Sequence, residues 1–252
     1  MKTLGLVGYP LGHSFSAKFF KKKFELLGIV DFEYLNFEIK TIVELESVIE
    51  KHPYLVGFNI TIPHKENILA YLDELSPEAQ VIGAVNTVKI DRSNPDKIRL
   101  KGFNTDCYGF KESIKPFLAS HHHQALILGT GGAAKAVEYV LKNLGIEVLY
   151  VSRNPNDSST IRYEDLNEIA LQSFPFIINS TPLGMFPKID DCPPIPYEFL
   201  SEKNYLYDLI YNPLETKFMS LGKKHGAMVQ NGLQMLELQA EKAWEIWNKP
   251  SL

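Results

Sequence analysis

The sequence predicts an α/β protein of two α/β domains, the first built on a mixed sheet and the second Rossmann-like. Three observations predict it. Strand-like and helix-like runs alternate in two separate series, the pattern of parallel strands covered by helices. A polar turn cluster, Asp91-Arg92-Ser93-Asn94-Pro95-Asp96, separates two strand-like runs and marks an antiparallel excursion inside the first series. A glycine-rich segment, Gly129-Thr130-Gly131-Gly132-Ala133-Ala134, lies between a strand and a helix at the start of the second series.

The elements follow in order. Leu4–Val7 is an apolar strand that stops at Gly8. Ser16–Leu27 has helical spacing, with Ser14 or Ser16 available as its N-cap. Phe32–Phe37 alternates as a strand, Ile42–Glu50 returns to helical spacing, and Leu55–Ile60 is a strand closed by Pro63. Ala84–Ile90 and Ile98–Gly102 flank the turn cluster. The second series starts after His121-His122-His123, with a strand at Ala125–Leu128 and a helix at Ala133–Leu144. A strand at Val148–Val151, a short helix at Asp165–Leu171, and strands at Phe176–Ile178 and Leu206–Ile210 come next. A helix from Thr216 and an amphipathic helix over Gly232–Trp247 complete the chain. The predicted domains are residues 1–106, completed by a C-terminal helix over 232–252, and residues 107–231, with a cleft between them.

Composition narrows the function classes. The 252 residues are 45% apolar and 22% charged, ordinary values for a packed core. A formal net charge of −4 without a basic tail argues against a nucleic-acid or membrane-surface partner. Cys107 and Cys192 make neither a CxxC pair nor a metal-ligand spacing, which fits a reducing compartment. The opening residues are apolar for too short a stretch to be a signal peptide, and no run reaches the roughly 20 apolar residues of a membrane helix. The expectation is a cytoplasmic monomer or homodimer acting on a small molecule, with no metal. His121-His122-His123 reads as a solvated interdomain loop, because adjacent residues rarely converge on one ion.

The glycine segment carries chemistry because of its context. Gly129 permits the tight turn, Gly131 lets a pyrophosphate approach the backbone, and Ala134 lets the helix pack close to the sheet. The helix N-terminus then offers amides to the anion. NAD sites usually place a carboxylate about 20 residues past the glycines. Here the second strand ends in Val151-Ser152-Arg153-Asn154, with Arg153 able to pair with a 2′-phosphate, so NADP is favoured. The plainer alternatives are a βα turn that binds nothing and a solvated arginine.

Three further motifs supply hydroxyls, amides, an amine and a carboxylate, the set that grips a small polyhydroxylated acid. They are Gly8-Tyr9-Pro10-Leu11-Gly12-His13-Ser14-Phe15-Ser16, Asn59-Ile60-Thr61-Ile62-Pro63-His64-Lys65, and Gly83-Ala84-Val85-Asn86-Thr87 with Gly102-Phe103-Asn104-Thr105-Asp106. Two of them follow strands, where open α/β sheets bind ligands. With Asn179-Ser180-Thr181-Pro182-Leu183-Gly184-Met185, Asp208-Leu209-Ile210-Tyr211-Asn212-Pro213 and Asn231–Ala240, the chain resembles the shikimate dehydrogenase family over nearly its whole length.

The resemblance implies an N-terminal substrate domain, a Rossmann-like NADP-binding domain, and reversible NADPH-dependent reduction of 3-dehydroshikimate to shikimate. It implies that Ser14 and Ser16 bind the substrate carboxylate and that Asn59, Thr61, Asn86, Asp106 and Gln239 bind its ring hydroxyls. Lys65 and Asp106 would be the catalytic pair, with Tyr211 near the reacting centre. The glycine segment Gly129, Thr130, Gly131, Gly132 and Ala133, together with Ser152, Arg153, Asn179, Ser180, Thr181, Met185, Leu209 and Gly232, would line the cofactor.

The chemistry also follows from the groups themselves. Reducing a ketone needs a hydride on one face and a proton donor at the developing alkoxide, a place Lys65 suits. Asp106 can orient Lys65, and the choice between them as proton carrier stays open. Plainer readings remain beside these: a surface lysine, a helix N-cap for Cys107–Leu118 at Asp106, loop braces at Asn59 and Asn86, an exposed helix position at Gln239. Ser152 and Asn154 replace the Asn and Thr common in NADP-using members, and Pro155-Asn156-Asp157 brings no second cation, so a weak phosphate clamp is expected. The rivals are an NAD-linked quinate/shikimate dehydrogenase and a catalytically silent ligand-binding regulator.

Overall fold

The structure is a computed structural model that describes residues 1–12, 15–94, 97–155 and 159–249. Ser14 lies outside the described residues. The chain forms two compact units, residues 1–105 with 239–252, and residues 106–238. The first division falls just ahead of the expected boundary at 106, and the second inside the last helix rather than before it.

Unit 1 contains β1 (Lys2–Gly8), α1 (Phe15–Leu27), β2 (Phe32–Glu38), α2 (Leu45–Lys51), β3 (Leu55–Ile60), β4 (Glu74–Leu75), α3 (Pro77–Ile82), β5 (Thr87–Asp91) and β6 (Arg99–Phe103). Its sheet runs β2-β1-β3-β5-β6-β4. β1 is parallel to β2 and β3, whereas β5 is antiparallel to β3 and β6, so the sheet is mixed. Strand order reverses between β1 and β3, which opens a crevice at their carboxyl ends.

Burial explains the helices on each face. In α1, Ser16, Phe20 and Phe24 recur every fourth residue and are buried, one stripe of an amphipathic helix. Phe20 and Phe24 pack with Leu4, Ala240, Ala243, Ile246 and Trp247. Trp247 packs closely against β3 because Gly57 has no side chain. A Cβ there would come within 2.3 Å of the indole, whose Nε1 donates to the Val88 carbonyl at 2.9 Å. The opposite face packs Val7, Phe58, Ile60, Ile68 and Val88.

Local departures from the sequence reading have local causes. The helix expected over 42–50 opens as a 3-10 turn, Ile42–Glu44, before α2. There the Glu44 carboxylate accepts from the Lys40 and Thr41 amides at 3.0 and 2.9 Å. The strand expected from Ala84 starts at Thr87, because the Val85 amide donates to the Lys65 carbonyl and not to a strand neighbour. Between β3 and β5 the 3-10 turn Asn67–Tyr71, β4 and α3 are too short to show periodicity.

Unit 2 contains α4 (Asp106–Ile114), β7 (Gln124–Leu128), α5 (Gly132–Asn143), β8 (Glu147–Val151), β9 (Thr160–Ile161), α6 (Glu168–Ser173), β10 (Phe176–Asn179), β11 (Tyr205–Asp208), α7 (Lys217–Lys224) and β12 (Met228–Gln230). It also contains the first turns of α8 (Leu233–Asn248), up to Leu238. All its strands are parallel, in the order β12-β11-β10-β7-β8-β9. Counted along the unit's own sequence that order is 6-5-4-1-2-3, the doubly wound dinucleotide-binding topology. Its switch point falls between β7 and β10. β10 and β11 are buried along their whole length, as a sheet covered on both faces requires.

Three boundaries moved here. α4 ends at Ile114 rather than Leu118, because Pro116 disfavours helical geometry at the residue before it. Asp106 is the first residue of that helix rather than a cap before it. α6 starts at Glu168, where Asn167 accepts from the Ala170 amide, after a separate 3-10 turn at Tyr163–Asp165. The histidine run expected as a solvated interdomain loop lies inside unit 2, with His121 and His123 exposed and His122 packed. His122 is buried against Phe176 and Tyr205, and its Nδ1 accepts from the Ala119 amide at 3.0 Å. Burial holds its pKa below the ordinary value, so it is a neutral structural group. Among the described residues no helix is long and apolar enough to cross a membrane.

At the end of β11 the Asp208 carboxylate is fully buried. It accepts from Thr216 Oγ1 at 2.6 Å, Asn179 Nδ2 at 3.1 Å and the Ile210 amide at 3.0 Å. Burial outweighs these donors and raises its pKa to about 6. A carboxyl raised in the fold holds its proton more tightly than in the unfolded chain. Its contribution to stability is therefore greatest at low pH and falls as pH rises from about 4 to about 6. Asp208→Asn keeps the shape and removes the charge. We expect the stability of that variant relative to the native chain to rise between pH 4 and pH 7, by on the order of 3 kcal/mol. Urea unfolding at the two pH values measures it, and a pH-independent difference would exclude an ionised, costly Asp208.

Candidate active site

In unit 1 the carboxyl ends of β1 and β3 and the start of β5 bring the sequence motifs together. Backbone bonds stitch the segments. The Thr61 amide donates to Val7 O at 2.9 Å, Ile60 to Asn86 O at 2.8 Å, Val85 to Lys65 O at 2.8 Å, and Asn86 to Phe103 O at 3.1 Å. Lys65, half-buried, thus leaves a loop whose backbone is tied to the 83–87 segment.

A row of buried side chains runs along these ends. Asn86 Oδ1 accepts from the Thr105 amide at 2.7 Å, and its Nδ2 donates to Thr105 Oγ1 at 3.0 Å and to Gln239 Oε1 at 3.3 Å. Thr87 and Thr105 share a hydroxyl–hydroxyl bond of 3.1 Å. Asn59 uses both ends of its amide internally. Its Nδ2 donates to Thr87 Oγ1 at 3.0 Å and Asn86 O at 3.2 Å, while its Oδ1 accepts from the Tyr34 phenol at 2.8 Å. Asn59 therefore serves as a brace here, whereas Gln239, buried rather than exposed on its helix, closes the row. Ser16 is buried beside Tyr34, and Thr61 is half-buried at the rim.

In unit 2 the nucleotide motifs gather at the switch point. Gly129 has a φ of +99°, a conformation that L side chains rarely adopt, and its amide donates to Val151 O at 2.9 Å. Ser180 Oγ donates to Leu128 O at 2.6 Å, tying the ends of β7 and β10. A Cβ on Gly131 would meet nothing within 4 Å, so the turn presents bare backbone to open space. Thr130 and Gly131 are exposed, and Gly132 and Ala133 half-exposed, at the amino end of α5. The first amides of that helix have no intrahelical acceptors, and no acidic residue occupies its first turn. These features fit a pyrophosphate.

Beyond the end of β8, Ser152 accepts from the Asn154 amide at 3.3 Å and Arg153 is exposed. The arginine's charge acts on Tyr163, whose burial raises its pKa to about 12. The rest of the set hangs on Asp208. Asn179 donates to that carboxylate and accepts from Thr181 Oγ1 at 2.6 Å and the Thr181 amide at 3.0 Å. The Leu209 amide donates to Asn179 O, and the Gly232 amide to Ile210 O. A Cβ on Gly232 would sit 2.2 Å from Leu209 O, so only glycine fits. Met185 is exposed, and burial raises the pKa of Tyr211. Asp106 is buried at the start of α4.

Sequence reasoning assigned no role to Tyr34, Thr87, Thr105 or Asp208. The last three sit inside quoted motifs, and their signal was a polar residue beside a strand end. Tyr34 had none, since alternation in a strand reads as core. Among the described residues no group of three His, Cys, Asp or Glu side chains could hold a metal ion.

Comparison with known proteins agrees with this geometry. The model of the shikimate dehydrogenase substrate binding domain matches residues 6–88. A shikimate dehydrogenase (NADP(+)) from Clostridium beijerinckii is 39% identical, with 100% of this chain and 94% of the relative aligned. The solved structure of shikimate 5-dehydrogenase from Thermus thermophilus in complex with NADP(H) and shikimate is similar at a TM-score of 0.85 and 33% identity, covering 98% of this chain and 94% of that one. That of shikimate 5-dehydrogenase from Listeria monocytogenes in complex with shikimate and NAD gives 0.86 at 28% identity, covering 100% and 93%. With this identity held along the whole chain, through both units, the protein belongs to the shikimate dehydrogenase family.

Proposed function

We propose that the chain is an NADP-dependent shikimate dehydrogenase, an oxidoreductase that interconverts 3-dehydroshikimate and shikimate. The observation that carries the reading is the full-length relationship, which brings the polar row of unit 1 and the glycine turn of unit 2 together in one chain. NADP when bound supplies or removes the hydride. The residues that would hold it are the amides of Gly131–Ala133, with Arg153 on the 2′-phosphate and Asn179–Thr181, Met185, Leu209 and Gly232 toward the nicotinamide end.

Substrate recognition falls to hydroxyl and amide groups. Ser14 and Ser16 serve the carboxylate, and Thr61, Asn86 and Gln239 the ring hydroxyls, with Asn59 bracing the row and Tyr211 near the reacting centre. Lys65 holds the proton at the carbonyl oxygen. Its ammonium stabilises the alkoxide as charge develops, and Asp106 orients it and binds a neighbouring hydroxyl. The small-molecule substrate, a cytoplasmic location, and a monomer or homodimer complete the proposal, with no nucleic acid or membrane partner.

Initial rates with shikimate and with quinate, each against NADP and NAD, test it directly. Shikimate with NADP should be the fastest pair, and a folded protein that reduces neither cofactor with shikimate would sink the reading. Lys65→Met should keep the fold, because the side chain leaves a half-buried loop and its stem volume is nearly preserved. Turnover should fall by roughly 10²–10⁴-fold, with far less change in shikimate affinity. A retained kcat with a raised KM would make Lys65 a binding group only. Arg153→Ala should raise the KM for NADP about tenfold or more and leave that for NAD nearly unchanged, as loss of a charge-assisted phosphate contact predicts. An equal loss for both cofactors would place the arginine's role elsewhere.

A further inference from the structure

Tyr34 is a polar residue of unit 1 that neither the motifs nor the proposed chemistry uses, although it reaches the candidate site. Tyr34 stands in the middle of β2, on the face covered by α1, with its ring stacked on Phe20 at 4.6 Å and 13°. Its ring is partly exposed, but its hydroxyl is deeply buried, and burial pushes its pKa well above the ordinary tyrosine value. A buried phenol without partners would cost about 1–3 kcal/mol. This one has two, and both belong to the candidate substrate site. The phenol donates to Asn59 Oδ1 at 2.8 Å and bonds the Ser16 hydroxyl.

The direction of these bonds has a consequence. An amide oxygen only accepts, so the phenol's single proton goes to Asn59. Ser16 must then donate its own proton to the phenol oxygen. The position of Ser16 Oγ is thereby fixed before substrate arrives. A carboxylate is a stronger acceptor than a neutral phenol, so it draws the serine proton by rotation about the Cβ–Oγ bond; Ser16 Oγ then accepts a share of the phenol proton held toward Asn59, and the oxygen stays in place. On its other side the phenol locks the Asn59 amide, which supports Thr87 and the Asn86 carbonyl.

We propose that Tyr34 is a positioning residue for the substrate carboxylate, acting through Ser16 and, on the hydroxyl side, through Asn59. This rests on the reading of the site as one for a hydroxylated carboxylic acid. Tyr34 touches no ligand itself. Its role is to remove the rotamer freedom that Ser16 would otherwise lose on binding.

Tyr34→Phe tests the idea by removing one oxygen and keeping the Phe20 stack. The KM for shikimate should rise roughly three- to tenfold, the equivalent of one lost net hydrogen bond. Both kcat and the KM for NADP should stay within about twofold of native. Ser16→Ala should cost less in the Tyr34→Phe background than in the native one, because the two residues act on one oxygen. An unchanged KM for shikimate, additive effects, or a parallel rise in both KM values with a lowered Tm would each overturn the proposal. Should Tyr34→Phe fail to fold, 3-fluorotyrosine at position 34 keeps the hydroxyl and reports on it by fluorine NMR. Its resonance should shift on saturation with shikimate and stay still with NADP alone, and a signal unmoved by shikimate overturns the idea. The native enzyme is the control: no shikimate turnover by it defeats the underlying reading, whereas native turnover with an indifferent Tyr34 defeats only this inference.

Discussion

Polar groups buried at the carboxyl ends of the strands need hydrogen-bond partners within the protein, and much of the candidate site is built on meeting that need. Where a strand stops, its last carbonyls and the amides of the following loop still require partners. In unit 1 the Asn86 side chain meets the demand, with its oxygen on the Thr105 amide and its nitrogen toward Gln239. In unit 2 Asn179 does the same for Thr181, and its own amide rests on Asp208. An asparagine suits this work because one short, stiff side chain both donates and accepts.

The same bonds give the site its readiness. Loops held by buried amides lose little freedom when a ligand arrives, so hydroxyls and amides stand in place beforehand. The groups fall into two kinds. Asn59 is hydrogen-bonded inside the fold through both its amide nitrogen and its oxygen, while Gly131, Arg153 and Met185 present open backbone or exposed side chains. Asp208 is the costly member of the set. Its carboxylate orders the 179–185 and 208–211 loops at the expense of a desolvated charge, and the raised pKa records that cost. Natural proteins keep such a strained group where it fixes a binding geometry.

Much of the fold was legible in the sequence because long buried strands and long amphipathic helices leave strong periodic signals. α1, α5 and α8 and the strands β1, β3, β7 and β10 fall where the apolar pattern puts them, to within a few residues. β4, β9 and β12, of two or three residues each, left no such signal. Helix ends moved where a single side chain or a proline intervened, as at Glu44 and Pro116. In the histidine run His121 and His123 are solvated as the composition suggests, but His122 is not, because composition says nothing about the aromatic wall of Phe176 and Tyr205 that arrives from distant strands.

By itself the sequence determined the α/β class, the two series of elements, the glycine turn with its cofactor preference, and the polar motifs at strand ends. Those depend on neighbours close along the chain, on periodicity and on residue type. Which polar groups meet was decided only by tertiary structure. Tyr34 and Asn59 lie 25 positions apart and sheet order brings them together, whereas Asn86 and Gln239 lie 153 apart and meet only because the end of α8 packs on unit 1. Asn59, given a ring hydroxyl by the family resemblance, also braces the fold once β2 carries a phenol to it, because a buried amide takes the partner the packing supplies.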